Sequence, residues 1–222
     1  MILSTTSAIA LILLGAPSAA TADTGAADAR RASELCRANT AVTYHSDENV
    51  LCLMGSIDIE GEMEAAVRAQ PVRDQVMVVA ESPGGGLMTA IRITEWLEPY
   101  HYDIVVSGPC ASACAQFLFM GARHKYVIGD GFVGMHGGPM SDEKIDAVAS
   151  SEEGRVSLRH QNEAFREFYR SRGLDISVTR SPPPRILERI ARGEIVFWMP
   201  TLAEFEAAGV RDIVTVDSKY LR

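Results

Sequence analysis

The chain has no cluster of basic residues. Lys and Arg total 21 against 29 Asp and Glu, a formal net charge of −8, so nothing in it offers the phosphate-neutralising patch of a nucleic-acid partner. The acidic balance speaks mainly of solubility. The glycine-rich "ESPGGG" at 81–86 does not complete G-x-G-x-x-G: Leu87 follows Gly86, and Thr89 stands where the last glycine would be. No P-loop lysine follows, so a nucleotide site is disfavoured. Cysteines number only four, Cys36, Cys52, Cys110 and Cys114. They lack the C-x-x-C spacing of a zinc site, which disfavours metal without removing it as an alternative. Histidines number five, so any proton-transfer chemistry has few carriers to choose from.

What is present suits one globular domain: 222 residues, 47% of them hydrophobic. The first 22 residues carry no charged side chain. Ala8 to Leu14 form an apolar run too short to span a bilayer comfortably, Pro17 breaks it, and Ala20-Thr21-Ala22 has a small-x-small pattern. The expectation is a signal peptide over 1–22 with a weak n-region, cleaved near Ala22, and a single domain over 23–222. An uncleaved anchor or a misassigned start are the other readings. In an exported chain four cysteines suit disulfides. Cys36 is expected to pair with Cys52, tying the N-terminal segment to the first strand. Cys110 and Cys114 stand one helical turn apart, so a bridge beside Ser112 is open.

Apolar runs of strand length alternate with helical patterns. "NVLCLMGSID" (49–58), "DQVMVVAES" (74–82) and "YDIVVSG" (102–108) read as strands. "EGEMEAAVRAQ", "GLMTAIRITEWLEPY" and "ASACAQFLFMG" read as helices. The continuous apolar character of 76–80 predicts a strand buried on both faces, as in a parallel sheet. "KYVIGDG" and "FVGMHGG" read as two short strands, and "TLAEFEAAGVRDIVTV" as a last helix and strand. The fold class is therefore α/β with a mostly parallel sheet and right-handed crossovers. Residues 141–173 break the rhythm with a long charged helical stretch, either a solvated face or a projection that meets another subunit. "SPPPR" (181–185) marks a loop.

Three special turns each follow a predicted strand. At 82–86, Ser82 precedes Pro83 and three glycines open a helix, a geometry for a phosphate, an oxyanion hole or a plain turn. At 110–114, Ser112 lies where a strand ends and a helix begins: a nucleophile, an N-cap or a packed small residue. At 134–139, His136 ends a short strand among small residues. His45, His101, His124 and His160 sit in charged or loop surroundings. In a parallel sheet the strand ends share one edge, where sites form, and this joint placement makes Ser112 and His136 the candidate pair.

"SPGGGLMTAIRITEWL", "SGPCASACAQFLFMGA" and "HKYVIGDGFVGMHGGP" resemble, in order, the glycine turn, the nucleophile segment and the histidine strand pair of the Clp-protease/crotonase superfamily, in its serine-peptidase branch. The Ser112-to-His136 spacing of 24 is close to that family's own. The likeness covers roughly 48–140 well and 194–217 loosely. The cysteine-flanked serine behind a signal peptide is similar to exported, ATPase-free, Clp-like periplasmic relatives.

The resemblance implies a β-β-α spiral superhelix. It makes Ser112 the nucleophile and His136 the base, with Gly84 and Ala113 N–H groups as the oxyanion hole and Gly85 and Gly86 beside the substrate. It further implies a peptide or unfolded-protein substrate, a homo-oligomer, no cofactor, no metal and no ATPase partner. At the family's aspartate position this chain has Phe197. Glu194 is the nearest carboxylate and Asp175 another, while a Ser-His dyad stands as an alternative to a triad. A Ser-Lys dyad would call on Lys144. The missing aspartate also suits a non-catalytic scaffold. Acyl-CoA chemistry, the crotonase branch's own, conflicts with export.

Overall fold

A computed structural model describes residues 19–180 and 197–221, with positions 186, 188, 189 and 192 between them. Most of the expected leader, residues 1–18, lies outside the described residues, as do the 181–185 loop and Glu194. The first element, α1 (Ala19–Cys36), begins upstream of the expected cleavage point.

Six strands form the main sheet in the order β1-β2-β3-β4-β6-β8. They are β1 (Thr43–His45), β2 (Val50–Met54), β3 (Met77–Glu81), β4 (Asp103–Val106), β6 (Lys125–Ile128) and β8 (Ile213–Val216). All neighbours pair in parallel except β1, which runs antiparallel to β2 with Thr43 opposite Cys52. The apolar runs are continuous because both faces are covered. On one face Leu51, Leu53, Val78, Ala80, Ile104, Val106 and Val127 enter the larger core. On the other Val50, Cys52, Val79, Val105 and Tyr126 meet Ala29, Ala32 and Cys36 of α1. Each such aliphatic side chain, fully withdrawn from water, contributes on the order of 1.5–3 kcal/mol.

Four strands of the main sheet are each followed, within a few residues, by a segment that leaves it for a second layer. After β2, Ile57 bridges Gly85; after β3, Ser82 bridges Cys110. After β4 comes β5 (Pro109–Ala111), which pairs in parallel with β7 (Phe132–Gly134), the segment after β6. A helical element then follows each unit: α2 (Glu62–Arg68), α3 (Leu87–Leu97), a π-helix (Cys114–Phe119) and α4 (Asp142–Val148). The start of α2 is fixed by Asp58, whose carboxylate accepts from the N–H groups of Gly61, Glu62 and Met63 at 2.5, 2.6 and 2.8 Å. Those bonds, that from Met63 foremost, hold its pKa below the ordinary aspartate value.

The charged stretch at 141–173 is two helices rather than one. Ser141 caps α4, and Ser151 caps α5 (Glu152–Ser171) by accepting from Gly154 N–H. The first half of α5 is solvated. Its second half is not: Phe165 and Phe168 each meet Phe117 of the π-helix edge-on, at 5.0 Å between ring centroids. The last helix, α6 (Leu202–Ala207), starts at a capping box made by Thr201 and Glu204. Two short strands, β1 and β5, were not foreseen from sequence; at three residues each they are too brief for a periodic signal.

Candidate active site

Both disulfides are present: Cys36–Cys52 joins the end of α1 to β2, and Cys110–Cys114 spans the turn between β5 and the π-helix. Ser112 occupies the middle of that turn with φ +54°, the left-handed region that non-glycine residues rarely adopt. Its N–H donates to Gly134 O at 2.8 Å, which ties the turn to β7. Its hydroxyl meets His136 Nε2 at 2.7 Å. The two residues singled out in the sequence are thus brought together across the ends of adjacent segments.

His136 is exposed as a residue, yet its partial burial lowers its pKa below the ordinary histidine value. A neutral ring protonated on Nδ1 has a lone pair on Nε2 for the serine proton. No carboxylate among the described residues bonds to it. Phe197 packs against the ring instead, 5.2 Å between centroids and steeply inclined. Reciprocal backbone bonds between Met135 and Trp198, at 2.8 and 2.9 Å, hold Phe197 there. Asp175 is engaged elsewhere, its carboxylate accepting from Ser177 N–H at 2.8 Å. That bond keeps its pKa low. Lys144 lies exposed in the first turn of α4, its backbone N–H donating to the Ser141 cap. Of the other histidines, His101 and His124 pair with Asp74 and Asp103, and His45 with Asn39.

The glycine turn packs directly beneath the serine. Gly84 has φ +93°, and a Cβ there would lie 2.5 Å from both Ala111 O and Ser112 Cβ. Its N–H already donates to the buried Ser82 hydroxyl at 3.1 Å, so the donor expected at Gly84 is occupied. Its carbonyl accepts from Ile57 N–H at 2.9 Å, and Gly86 N–H donates to Ile57 O at 2.6 Å. In this parallel bridge Gly85 turns its own N–H away from Ile57. Neither Gly85 N–H nor Ala113 N–H has a backbone acceptor among the described residues. Gly86 caps α3, and a Cβ there would lie 2.8 Å from Asp58 O.

Three contributors escaped the sequence reading. Gln116, buried on the π-helix, donates through Nε2 to the carbonyls of His136 (3.2 Å) and Gly137 (2.7 Å), fixing the histidine loop to the serine's own helix. Tyr169 of α5 donates to Gln116 O at 3.0 Å. Asn162 of α5 bonds Met140 in both directions, its Nδ2 to the carbonyl at 2.8 Å and its Oδ1 from the N–H at 2.9 Å. The available signal was a lone glutamine within the apolar "ACAQFLFM"; a buried polar side chain there needs partners.

A left-handed serine in hydrogen-bond contact with an imidazole whose burial favours its neutral form can transfer an acyl group through a serine ester. No protein-family model matches the chain, and no curated protein matches it.

Proposed function

We propose that this protein is an exported serine hydrolase, a peptidase working through a Ser112–His136 dyad on a Clp-protease/crotonase-like β-β-α spiral. The observation that carries the reading is the 2.7 Å contact between Ser112 Oγ and His136 Nε2. The repeated strand, second-layer segment and helix units support the fold assignment. The two disulfides support an oxidising compartment, the periplasm or the exterior.

In the reaction, His136 takes the hydroxyl proton as Ser112 attacks the substrate carbonyl. The N–H groups of Gly85 and Ala113 hold the oxyanion, and each such donor is worth about 10²–10³ in rate. His136 then protonates the leaving amine, and water repeats the cycle on the acyl-enzyme. Gln116 holds the backbone of the histidine loop throughout, through the carbonyls of His136 and Gly137. The dyad uses no cofactor, metal or ATPase partner. The substrate class is short peptides or unfolded segments, which enter an open strand-end site without an unfoldase. Assembly into a homo-oligomer, with the solvated first half of α5 as a contact, belongs to the same proposal; nucleic acid has no place in it.

A second reading is a non-catalytic scaffold on the same fold, favoured by Phe197 beside the imidazole where a carboxylate would orient it. A fluorophosphonate probe separates the two. Labelling of the folded, oxidised wild type that is lost in Ser112→Ala and strongly reduced in His136→Ala supports the hydrolase; a wild type that does not label supports the scaffold.

A further inference from the structure

Ser112 sits at the centre of a five-residue ring. The Cys110–Cys114 disulfide closes it, with Cα atoms 5.2 Å apart and both cysteines fully buried. Within the segment, Gln116 N–H donates to Ser112 O at 2.8 Å, and the other restraints on the ring come from different segments. Ala111 N–H donates to Ser82 O at 3.0 Å, Ser112 N–H to Gly134 O, and Gly84 lies against the Ser112 Cβ. The serine conformation opposes these restraints: left-handed backbone at a non-glycine residue costs roughly 1–2 kcal/mol. Ala113 on its C-terminal side is already right-handed helical, φ −58° and ψ −32°. The inexpensive relaxation is for Ser112 to join that helix. Such a change in φ and ψ swings Oγ off His136 Nε2. It also alters the path from Cys110 to Cys114, which the disulfide holds closed.

We propose that the Cys110–Cys114 disulfide is a redox-sensitive clamp that holds Ser112 in its reactive conformation, and that a dithiol reductant switches the site off by opening it. The proposal rests on the hydrolase reading above. The chemistry is ordinary thiol–disulfide exchange. A thiolate of the reductant attacks one cysteine sulfur and forms a mixed disulfide, and the other sulfur leaves as a thiolate and takes a proton. The reductant's second thiol displaces the first cysteine. The balance is one protein disulfide plus one dithiol giving two protein thiols plus a cyclic disulfide, and Ser112 is unchanged chemically. Because both sulfurs are buried, exchange proceeds through opening of the 110–114 turn, and bound substrate protects it. Cys110 and Cys114 are positioning residues here, acting through the serine.

The test poises the full-length wild type at graded ratios of reduced to oxidised dithiothreitol. At each ratio three things are read: the state of each disulfide by alkylation and peptide mass, the fold by circular dichroism, and the rate of fluorophosphonate labelling at Ser112. The expected result is a labelling rate that tracks the 110–114 disulfide, not 36–52, and falls at least about tenfold on reduction, since a misplacement of about 1 Å costs on the order of 10². The dichroism stays unchanged and the rate recovers on reoxidation. Cys110→Ala/Cys114→Ala is expected to label at the slow rate whatever the redox poise. Equal rates in the oxidised and reduced protein, a double variant as fast as the oxidised wild type, or loss of the whole fold on reduction each overturn the clamp. Absence of labelling in the oxidised wild type overturns the hydrolase reading instead.

Discussion

In the proposed dyad His136 works as a base only while neutral, and burial favours the neutral form. The sign follows: lowering the pH protonates it only below the ordinary histidine pKa, so hydrolysis and probe labelling should hold down to a pH under 6.5 before the acid limb sets in. Phe197→Asp puts a negative charge beside the imidazole and favours its protonated form, so the acid limb should move to higher pH. A labelling-rate profile from pH 4 to 8 for both proteins checks this; coincident limbs would show that position 197 does not reach the ring. Lys125 gives a second residue-level prediction. It is buried at the start of β6, its Nζ donating to Ala122 O at 2.6 Å, and burial lowers its pKa from 10.5 to about 8. Between those values the unfolded chain binds more protons than the folded one, so this group's effect is a stability that rises with pH, by at most about 3 kcal/mol. Urea unfolding at pH 7.5 and 10 should show that rise in the wild type relative to Lys125→Met.

At the scale of elements, the site is built where four segments leave the main sheet, and the glycine turn packs closely on the serine turn. Gly84→Ala combines a positive φ with a Cβ only 2.5 Å from two backbone-bound neighbours, whereas Gly55, at φ +99°, has nothing within 4 Å. Ala at Gly55 should cost about 1 kcal/mol through conformation alone. Ala at Gly84 should cost clearly more and also displace Ser112. Melting temperatures and probe labelling together check this: both variants lose stability, but only Gly84→Ala loses labelling out of proportion. The second half of α5 belongs to the same structure, since Tyr169 and Asn162 reach the elements that carry Ser112 and His136.

For the molecule as a whole, α1 is the only described helix grouped with the second core, and its C-terminal end is cross-linked to β2. Cys36 and Cys52 close a loop of 16 residues, for which chain entropy predicts roughly 3 kcal/mol of stabilisation. Cys36→Ala/Cys52→Ala should therefore unfold at lower urea, by about that free energy, while Ser112 labelling below the transition stays near the wild-type rate. A large loss of labelling in the folded double variant would mean that α1 also shapes the site.

Much was legible along the chain because the signals were local. A strand buried on both faces reads as a continuous apolar run, a helix as a 3.6-residue stripe, and a turn as glycine and proline. These marked the α/β class and the three turns, while the Cys36–Cys52 pairing was an expectation that the structure bears out. The sequence also marked Phe197 as a departure from the aspartate pattern. Tertiary structure decided what depends on residues far apart. It occupied the Gly84 N–H with Ser82, left the Gly85 and Ala113 N–H groups without a backbone acceptor among the described residues, and set Phe197 on the imidazole. It gave Gln116 its two carbonyls across the site. It also forced Ser112 into the left-handed region, where no local preference would put a serine. A side chain's neighbours along the chain determine its secondary structure; its hydrogen-bond partners, desolvation and backbone strain are set by segments that meet only on folding.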